Sequence, residues 1–245
     1  MMRIGETQSI SQLIGEVPKN ESIEKTQNII NAMNKISKNQ MWRKFVETFY
    51  DIYSKEFIQD ERTINNLKVI FFYFLQDEKF FECDNLRGDI IKPSLGKGLL
   101  IIGGFGTGKT DYLKVFEKVF EKFNNYRFKF YSSKELVTKY ELCQTPFDKK
   151  YYFKDVSRKR MFIDDIGSER IASNYGKCDV IEEVLSHRYD NKLRTFASCN
   201  YSDKTQSVKS TIEELGVKYG SRIYDRLFES FNIIEFNGKS YRGRK

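Results

Sequence analysis

The chain has 245 residues, of which 40% are hydrophobic and 31% charged, and these proportions are typical of a folded protein with a sizeable core. Its longest strongly apolar run, residues 69–75, is far too short to span a bilayer, and residues 1–15 lack the apolar stretch of a signal peptide. Four widely spaced cysteines and one histidine argue against a zinc site or a disulfide framework, so we expect reduced thiols in a cytoplasmic protein with no membrane association.

The net charge of +8 is unevenly distributed along the chain. Residues 1–94 carry 13 Lys and Arg against 14 Asp and Glu, whereas residues 95–245 carry 29 against 20. A basic field attracts polyanions, above all nucleic acids. An ordinary solubilising surface is the alternative, and the charge alone does not decide between the two.

The first part of the chain is predicted to be a small helical domain. Two helices are predicted in it. The second covers residues 62–76, and its aromatic run at residues 71–74 should be mostly buried. A loop at residues 84–97 contains Pro93, and we place a domain boundary after residue 94. The first helix shows apolar residues at helical spacing, namely Trp42, Phe45, Val46, Phe49, Tyr50, Tyr53 and Phe57.

Residues 95–245 alternate between strand and helix patterns. Ser132 or Ser133 can begin one helix, and residues 180–189 form another. Such alternation predicts an α/β fold with a parallel five-stranded sheet covered on both faces. The predicted strands are residues 98–102, 127–131, 161–163, 195–199 and 231–236.

A phosphate-binding loop follows the first predicted strand. The glycines allow backbone N–H groups to curl around phosphates, Lys109 reaches the β- and γ-phosphates, and the hydroxyl of Thr110 ligates magnesium. An apolar strand precedes the loop and an amphipathic helix follows it, as this motif requires. The sequence therefore predicts ATP and Mg²⁺ as cofactors. The loop consists of Gly103, Gly104, Phe105, Gly106, Thr107, Gly108, Lys109 and Thr110.

Polar residues end the next strands. The apolar strand at residues 160–163 leads to Asp164, which we expect to hold the metal, and to Asp165, which we expect to orient or deprotonate the attacking water. Asn200 ends the following strand, where its side chain would lie between the P-loop and Asp164. A turn-forming asparagine is the alternative interpretation of Asn200.

Two arginines near the C-terminus, Arg222 and Arg226, are four residues apart and would share one face of a helix. We take them as candidate functional residues. The alternative is a helix stabilised by salt bridges, for instance with Asp225 or Glu229.

Together these motifs resemble the AAA+ ATPases of the DnaC/DnaI helicase-loader and IstB transposition-helper group. The resemblance covers residues 95–245 and implies a P-loop AAA+ core without a full helical lid, preceded by the helical N-terminal domain. The matching segments, in chain order, are GGFGTGKTDYL, KRMFIDDIGSE, HRYDN with RTFASCN, YGSRIYDRLFE and FNGKSYRGRK.

The resemblance also implies roles for single residues. Arg222 matches the arginine finger that reaches the ATP of a neighbouring subunit in an ATP-dependent homo-oligomer, while Arg226 and Arg188 match arginines with a possible trans or sensor role. Most AAA+ proteins have glutamate where this chain has Asp165, so hydrolysis is expected to be slow or to be assisted by Glu169. The remaining matches are Lys109 and Thr110 (Walker A), Asp164 and Asp165 (Walker B) and Asn200 (sensor 1).

By resemblance, the function is that of an ATP-dependent loader that delivers a replicative helicase to single-stranded DNA during DNA replication. An IstB-like transposition helper, assembling on duplex DNA, shares every ATPase motif and is the alternative. A switch or adaptor that does not bind DNA is a third possibility, and the basic charge counts against it. These functions differ in residues 1–94, whose aromatic residues we expect to form a partner-binding surface.

One stretch indicates DNA binding independently of the resemblance. Residues 147–154 interleave basic with aromatic side chains, and residues 158–160 are three further basic residues. Aromatic rings stack on nucleobases while lysines contact phosphates. The alternative is an amphipathic helix with solvated lysines. The candidate contacts are Lys149, Lys150, Tyr151, Tyr152 and Lys154.

Overall fold

Five parallel strands form the central sheet of the protein, as the sequence predicts. The structure is a computed structural model that describes residues 36–174 and 176–241. A short antiparallel hairpin, β4 (Ala172–Ser173) and β5 (Lys177–Cys178), was not predicted. The sheet has the order β2–β3–β6–β1–β7, in which the strands are β1 (Gly98–Gly103), β2 (Lys129–Ser132), β3 (Arg160–Asp164), β6 (Arg194–Asn200) and β7 (Phe231–Phe236).

Within the described residues, eight α-helices surround this sheet, and six of them begin at a residue whose side chain accepts a backbone N–H. These N-caps are Ser37, Asp60, Ser132, Thr145, Asp179 and Ser207. Each such cap contributes about 1 kcal/mol to the helix that it begins. The helices are α1 (Lys38–Tyr53), α2 (Glu61–Leu75), α3 (Lys109–Phe120), α4 (Ser133–Glu141), α5 (Pro146–Val156), α6 (Val180–Asp190), α7 (Val208–Tyr219) and α8 (Ser221–Ser230).

The alternation of side chains along β1 separates two apolar layers. Leu100 and Ile102 contact the layer formed by α4, α6, α7 and α8, whereas Leu99 and Ile101 contact α1, α2 and α3. All six residues of β1 are buried, as expected for a central strand with helices on both faces.

The helices α1 and α2 belong to the same core as the sheet. Phe45 of α1 packs against Phe116 of α3 with ring centroids 4.9 Å apart, and Phe74 of α2 packs against Phe196 of β6 at 5.6 Å. The aromatic run at residues 71–74 is buried, in agreement with the sequence.

The predicted boundary after residue 94 therefore requires correction, because it does not separate two packed units. The compact unit that contains the sheet begins at Ile36. The physical reason is that β1, β6 and β7 need cover on both faces, and α3 alone does not supply it on the side of α1 and α2. Residues 1–35 of the predicted N-terminal domain lie outside the described residues.

Between β6 and the last described strand, β7, the chain forms the two helices α7 and α8. None of the described helices has the length and apolar character needed to cross a bilayer. The four cysteines are all free thiols, as predicted.

Candidate functional site

The loop of residues 103–110 connects β1 to α3 and has the backbone shape of a phosphate cradle. Gly106 and Gly108 have φ angles of 73° and 92°, in the left-handed region that favours glycine. A Cβ atom at Gly108 would lie 2.4 Å from the ring of Tyr112. Gly108 is also the N-cap of α3 and supplies no side-chain acceptor, so the first turn of this helix suits an anionic ligand.

The other side chains of the loop divide between its inside and its tip. Thr107 is buried, and its hydroxyl donates to the carbonyl of Gly104 at 3.0 Å. Phe105, at the tip, is 69% exposed, so it contributes little to the packing of the loop.

Lys109 lies at the centre of the site. Its Nζ donates to the carbonyl oxygens of Gly103 and Gly104, both at 2.8 Å, and to Oδ1 of Asn200 at 3.0 Å. Gly103 and Asn200 are register partners in β1 and β6, which brings the end of each strand to the same edge of the sheet. The structure thus places Asn200 beside the P-loop, where the sequence predicts it.

Asp164 ends β3 and accepts two short hydrogen bonds. Thr110 Oγ1 donates to its Oδ2 at 2.8 Å, and Ser198 Oγ donates to its Oδ1 at 2.5 Å. Burial raises the pKa of Asp164, and the hydrogen bonds from Ser198 and Thr110 oppose that effect. A threonine hydroxyl beside a carboxylate supplies the oxygen ligands that Mg²⁺ prefers, so Thr110 and Asp164 fit the predicted metal.

Asp165 is held in a conformation that L-residues rarely adopt. Its φ angle is 59°, which costs on the order of 1 kcal/mol for a residue with a side chain. Its Oδ1 accepts from Asn200 Nδ2 at 2.6 Å, its Oδ2 accepts from Ser168 Oγ at 2.8 Å, and its N–H donates to Ser198 Oγ at 3.1 Å. The side chain is therefore fixed on the Asn200 side of the site.

Glu169, the alternative acid, is occupied elsewhere. Its carboxylate is buried and accepts from the Tyr219 hydroxyl at 2.8 Å and from the Gly167 N–H at 3.0 Å. Lys218 Nζ forms an ion pair with it at 2.8 Å. Of the two acids, Asp165 is the one that contacts Asn200.

Two of the three candidate arginines lie on α8 and differ in their contacts. Arg222 is exposed and forms no hydrogen bond and no ion pair with any residue that the structure describes. Arg226 donates to Ser186 Oγ at 2.9 Å and to Asp190 Oδ1 at 2.7 Å, and it lies over the ring of Tyr189. Arg226 is therefore bound to its own subunit, whereas Arg222 is available to another chain.

Arg188 requires a correction, because it is completely buried. Its guanidinium donates to the hydroxyl of Thr195 at 2.8 Å and to the backbone carbonyls of Val156, Arg158 and Arg194. Burial among these neutral acceptors lowers its pKa to about 10. The predicted trans role does not fit, since the side chain connects α6 to β6, to the end of α5 and to the loop that follows it within the same chain.

The basic and aromatic stretch forms α5, and its candidate contacts divide between core and solvent. Tyr152 is buried, so the prediction that it contacts DNA is wrong. Lys149 is half-buried with its Nζ 5.1 Å from the centre of the Tyr140 ring. The remaining candidates, Lys150, Tyr151 and Lys154, are exposed.

Sequence reasoning missed several residues that shape the site. Ser198 bridges Asp164 and Asp165, and the only signal for it is a polar residue within a buried strand. The C-terminal segment crosses the P-loop, where the Tyr241 N–H donates to the carbonyl of Gly106 at 2.9 Å. The Tyr241 hydroxyl also contacts Asp60, the N-cap of α2, at 3.1 Å. No local sequence pattern predicts these contacts of Tyr241.

The sequence matches no protein-family model and no curated protein. Among solved structures, the chain is similar to a putative primosome component from Streptococcus pyogenes serotype M3, with a TM-score of 0.51 and 17% identity, over 78% of this chain and 87% of that one. A structure of the DnaC helicase loader has a TM-score of 0.48 and 21% identity, over 79% of this chain and 98% of that one. A structure of DnaI has a TM-score of 0.46 and 24% identity, with coverage of 76% and 90%. The chain shares its fold with the primosome component, which confirms the predicted α/β fold with a parallel five-stranded sheet.

Proposed function

We propose that this chain binds ATP with Mg²⁺ and hydrolyses it. The observation that carries the proposal is the continuous set of contacts from Lys109 through Asn200 to Asp165, with Thr110 and Asp164 beside it. These residues come from the ends of β3 and β6 and from the first turn of α3. Ligand sites of parallel α/β sheets lie at this edge.

Each of these residues has a chemical task in the proposed reaction. Lys109 contacts the phosphates, and Thr110 with Asp164 would hold Mg²⁺, which when bound neutralises charge on the phosphate oxygens. Asp165 orients the attacking water and accepts its proton, while Asn200 keeps the carboxylate in position. Because Asp165 is one methylene shorter than glutamate, we expect slow hydrolysis.

The test of this activity uses two variants of the full chain. Lys109→Ala should abolish ATP binding, whereas Asp165→Asn should bind ATP normally and lose hydrolysis. Lys114→Ala, an exposed lysine on the same helix, is the matched control and should behave like the wild type. Wild-type ATP affinity in the Lys109 variant would show that the P-loop assignment is wrong.

The proposal extends to delivery of a replicative helicase to single-stranded DNA. The motif resemblance supports this step, as do the net positive charge of residues 95–245 and the similarity in fold to a putative primosome component. An ATP-dependent homo-oligomer is part of the proposal, because an exposed Arg222 needs a neighbouring subunit to act on ATP.

The partner surface is proposed to lie within residues 1–94. Since α1 and α2 pack on the sheet, their partner contacts must use the outward side of these helices and the loop between them. Tyr50, Ile52 and Ile58 are between 43% and 57% exposed there. Exposed apolar side chains that lie close together are typical of protein interfaces.

Helicase delivery is tested with the purified full chain and the replicative helicase of the same organism. The chain should raise the amount of helicase bound to circular single-stranded DNA, and the Lys109→Ala variant should not. If a transposase binds the chain in pull-downs and the helicase does not, the IstB-like function replaces the loader. If the chain hydrolyses ATP but binds neither DNA nor helicase, the switch function replaces both.

A further inference from the structure

A basic cleft lies at the edge of the sheet opposite the candidate ATP site, where β2 and β3 begin. Arg160 and Asp164 are the two ends of β3, so about 13 Å of strand separates this cleft from the nucleotide site. The cleft encloses about 900 Å³. It is lined by six basic side chains (Lys118, Arg127, Lys129, Arg158, Lys159 and Arg160) and two carboxylates (Glu117 and Glu121).

The carboxylates of the cleft do not neutralise its arginines. Glu121 is paired with Lys118 at 2.7 Å, and Glu117 with Lys129 at 3.3 Å. By contrast, Arg127, Lys159 and Arg160 have no ion pair and no side-chain hydrogen bond to the residues that the structure describes. The uncompensated charge is therefore concentrated in these three side chains.

Arg160 also lies beside a second cation. It is the register partner of Arg194 across β3 and β6, and both side chains are half-buried. Burial, followed by the charge of Arg194, lowers the pKa of Arg160. Like charges directly opposite each other in a sheet are unfavourable, and an anion bound between them would remove the repulsion.

The segment that connects α5 to β3 supplies Arg158 and Lys159 to the cleft. On α5 itself, Phe147, Lys150, Tyr151 and Lys154 have the spacing of one helix face, and the helix ends at Val156, two residues before Arg158. The rings of Phe147 and Tyr151 are 63% and 55% exposed, with centroids 4.6 Å apart. Exposed aromatic rings beside cations suit nucleobases and phosphates together, whereas an acidic peptide would use only the cations.

We infer that the cleft binds the phosphodiester backbone of a single-stranded nucleic acid whose bases stack on Phe147 and Tyr151. Arginine forks contact phosphate oxygens through two parallel hydrogen bonds, which suits the arginines of the cleft. The inference rests on the DNA-binding part of the proposed function and adds a second contact, remote from the ATP site.

The experiment measures binding of fluorescein-labelled dT20 by the full chain, through anisotropy, without nucleotide. The cleft variant Arg127→Gln/Lys159→Gln/Arg160→Gln should bind at least about tenfold more weakly. Its slope of log affinity against log salt should decrease by about 2, since each lost phosphate contact on a single strand contributes about 0.7. The control Lys55→Gln/Lys204→Gln/Lys209→Gln removes the same charge from exposed sites and should stay within about twofold of the wild type.

Two further variants distinguish a failure of the cleft inference from a failure of the proposed function. Arg127→Gln/Lys159→Gln changes only exposed side chains and should still weaken binding about threefold if the variant with Arg160→Gln fails to fold. Lys150→Gln/Lys154→Gln tests α5 alone. Loss of binding in the α5 variant together with an unchanged cleft variant overturns the cleft and leaves DNA binding intact.

Four other outcomes also contradict the inference. If the wild type does not bind dT20, the DNA-binding part of the proposed function fails together with the cleft, whereas wild-type binding that neither set of variants changes places the DNA site elsewhere. If the control loses as much affinity as the cleft variant, general charge explains the binding. If a polyglutamate peptide binds the wild type but not the cleft variant, while dT20 binds both, the cleft is a protein-binding site.

Discussion

The side-chain amide of Asn200 connects Lys109 of the P-loop to Asp165, the residue that follows β3. Its Oδ1 accepts from Lys109 Nζ at 3.0 Å, and its Nδ2 donates to Asp165 Oδ1 at 2.6 Å. One amide thus contacts two charged groups, one at the start of α3 and the other just after β3. Only a side chain with both an acceptor and a donor can do this.

Removing that amide should separate ATP binding from ATP hydrolysis. We expect Asn200→Ala to bind ATP within about threefold of the wild type and to hydrolyse it about a hundredfold more slowly, because a mispositioned base loses much of its contribution. Nucleotide affinity and single-turnover hydrolysis are the measurements. Asn125→Ala, an exposed site outside the loop, is the control, and a single-turnover rate within twofold of the wild type for Asn200→Ala would contradict this role.

Arg222 is expected to act on the ATP of a neighbouring subunit. Arg222→Ala should bind nucleotide normally and lose about a thousandfold in rate, as for other arginine fingers. Mixing it with Lys109→Ala protein should restore part of the activity, because hybrid interfaces combine an intact P-loop with an intact arginine.

The comparison variant for Arg222 is Arg226→Ala on the same helix. It loses hydrogen bonds to Ser186 and Asp190 and should therefore lower the free energy of unfolding by about 1–2 kcal/mol. If hydrolysis per subunit does not depend on protein concentration and Arg222→Ala is fully active, the trans role is excluded.

The two adjacent tyrosines of α5 should respond in opposite ways to substitution. The buried Tyr152 hydroxyl has no hydrogen-bond partner among the described residues, so Tyr152→Phe should leave stability unchanged or raise it by about 1 kcal/mol. Tyr151→Ala should leave stability unchanged and weaken single-stranded DNA binding by about 1–3 kcal/mol, the usual contribution of one stacked base. Thermal melting and dT20 anisotropy test both variants, and weaker DNA binding by Tyr152→Phe would contradict the assignment.

Truncation should show that α1 and α2 are part of the ATPase unit. A chain beginning at residue 36 should melt cooperatively and bind ATP. A chain beginning at residue 95 exposes Leu99, Phe116 and Phe196, which α1 and α2 now cover, so we expect it to aggregate. Melting curves and light scattering distinguish the two chains. Cooperative melting of the shorter chain at the wild-type temperature would restore the predicted boundary.

Features that depend on contiguous residues were readable from the sequence. The P-loop, the acids that end β3 and the five strands each lie within one short segment. Their signals are a glycine spacing, an apolar run or an alternation of side chains, and these act locally. For that reason the fold class and the position of Asn200 agree with the structure.

The tertiary structure alone decided which side of a segment is buried and which distant residues meet. Tyr151 and Tyr152 are alike in sequence, and only the packing of α5 against α4 assigns one to solvent and the other to the core. From the sequence alone, Arg188 matches a functional arginine. The structure instead surrounds its guanidinium with four neutral acceptors, up to 32 residues away in the chain. Such contacts join residues that share no local pattern, because burial depends on the neighbours that the whole fold supplies.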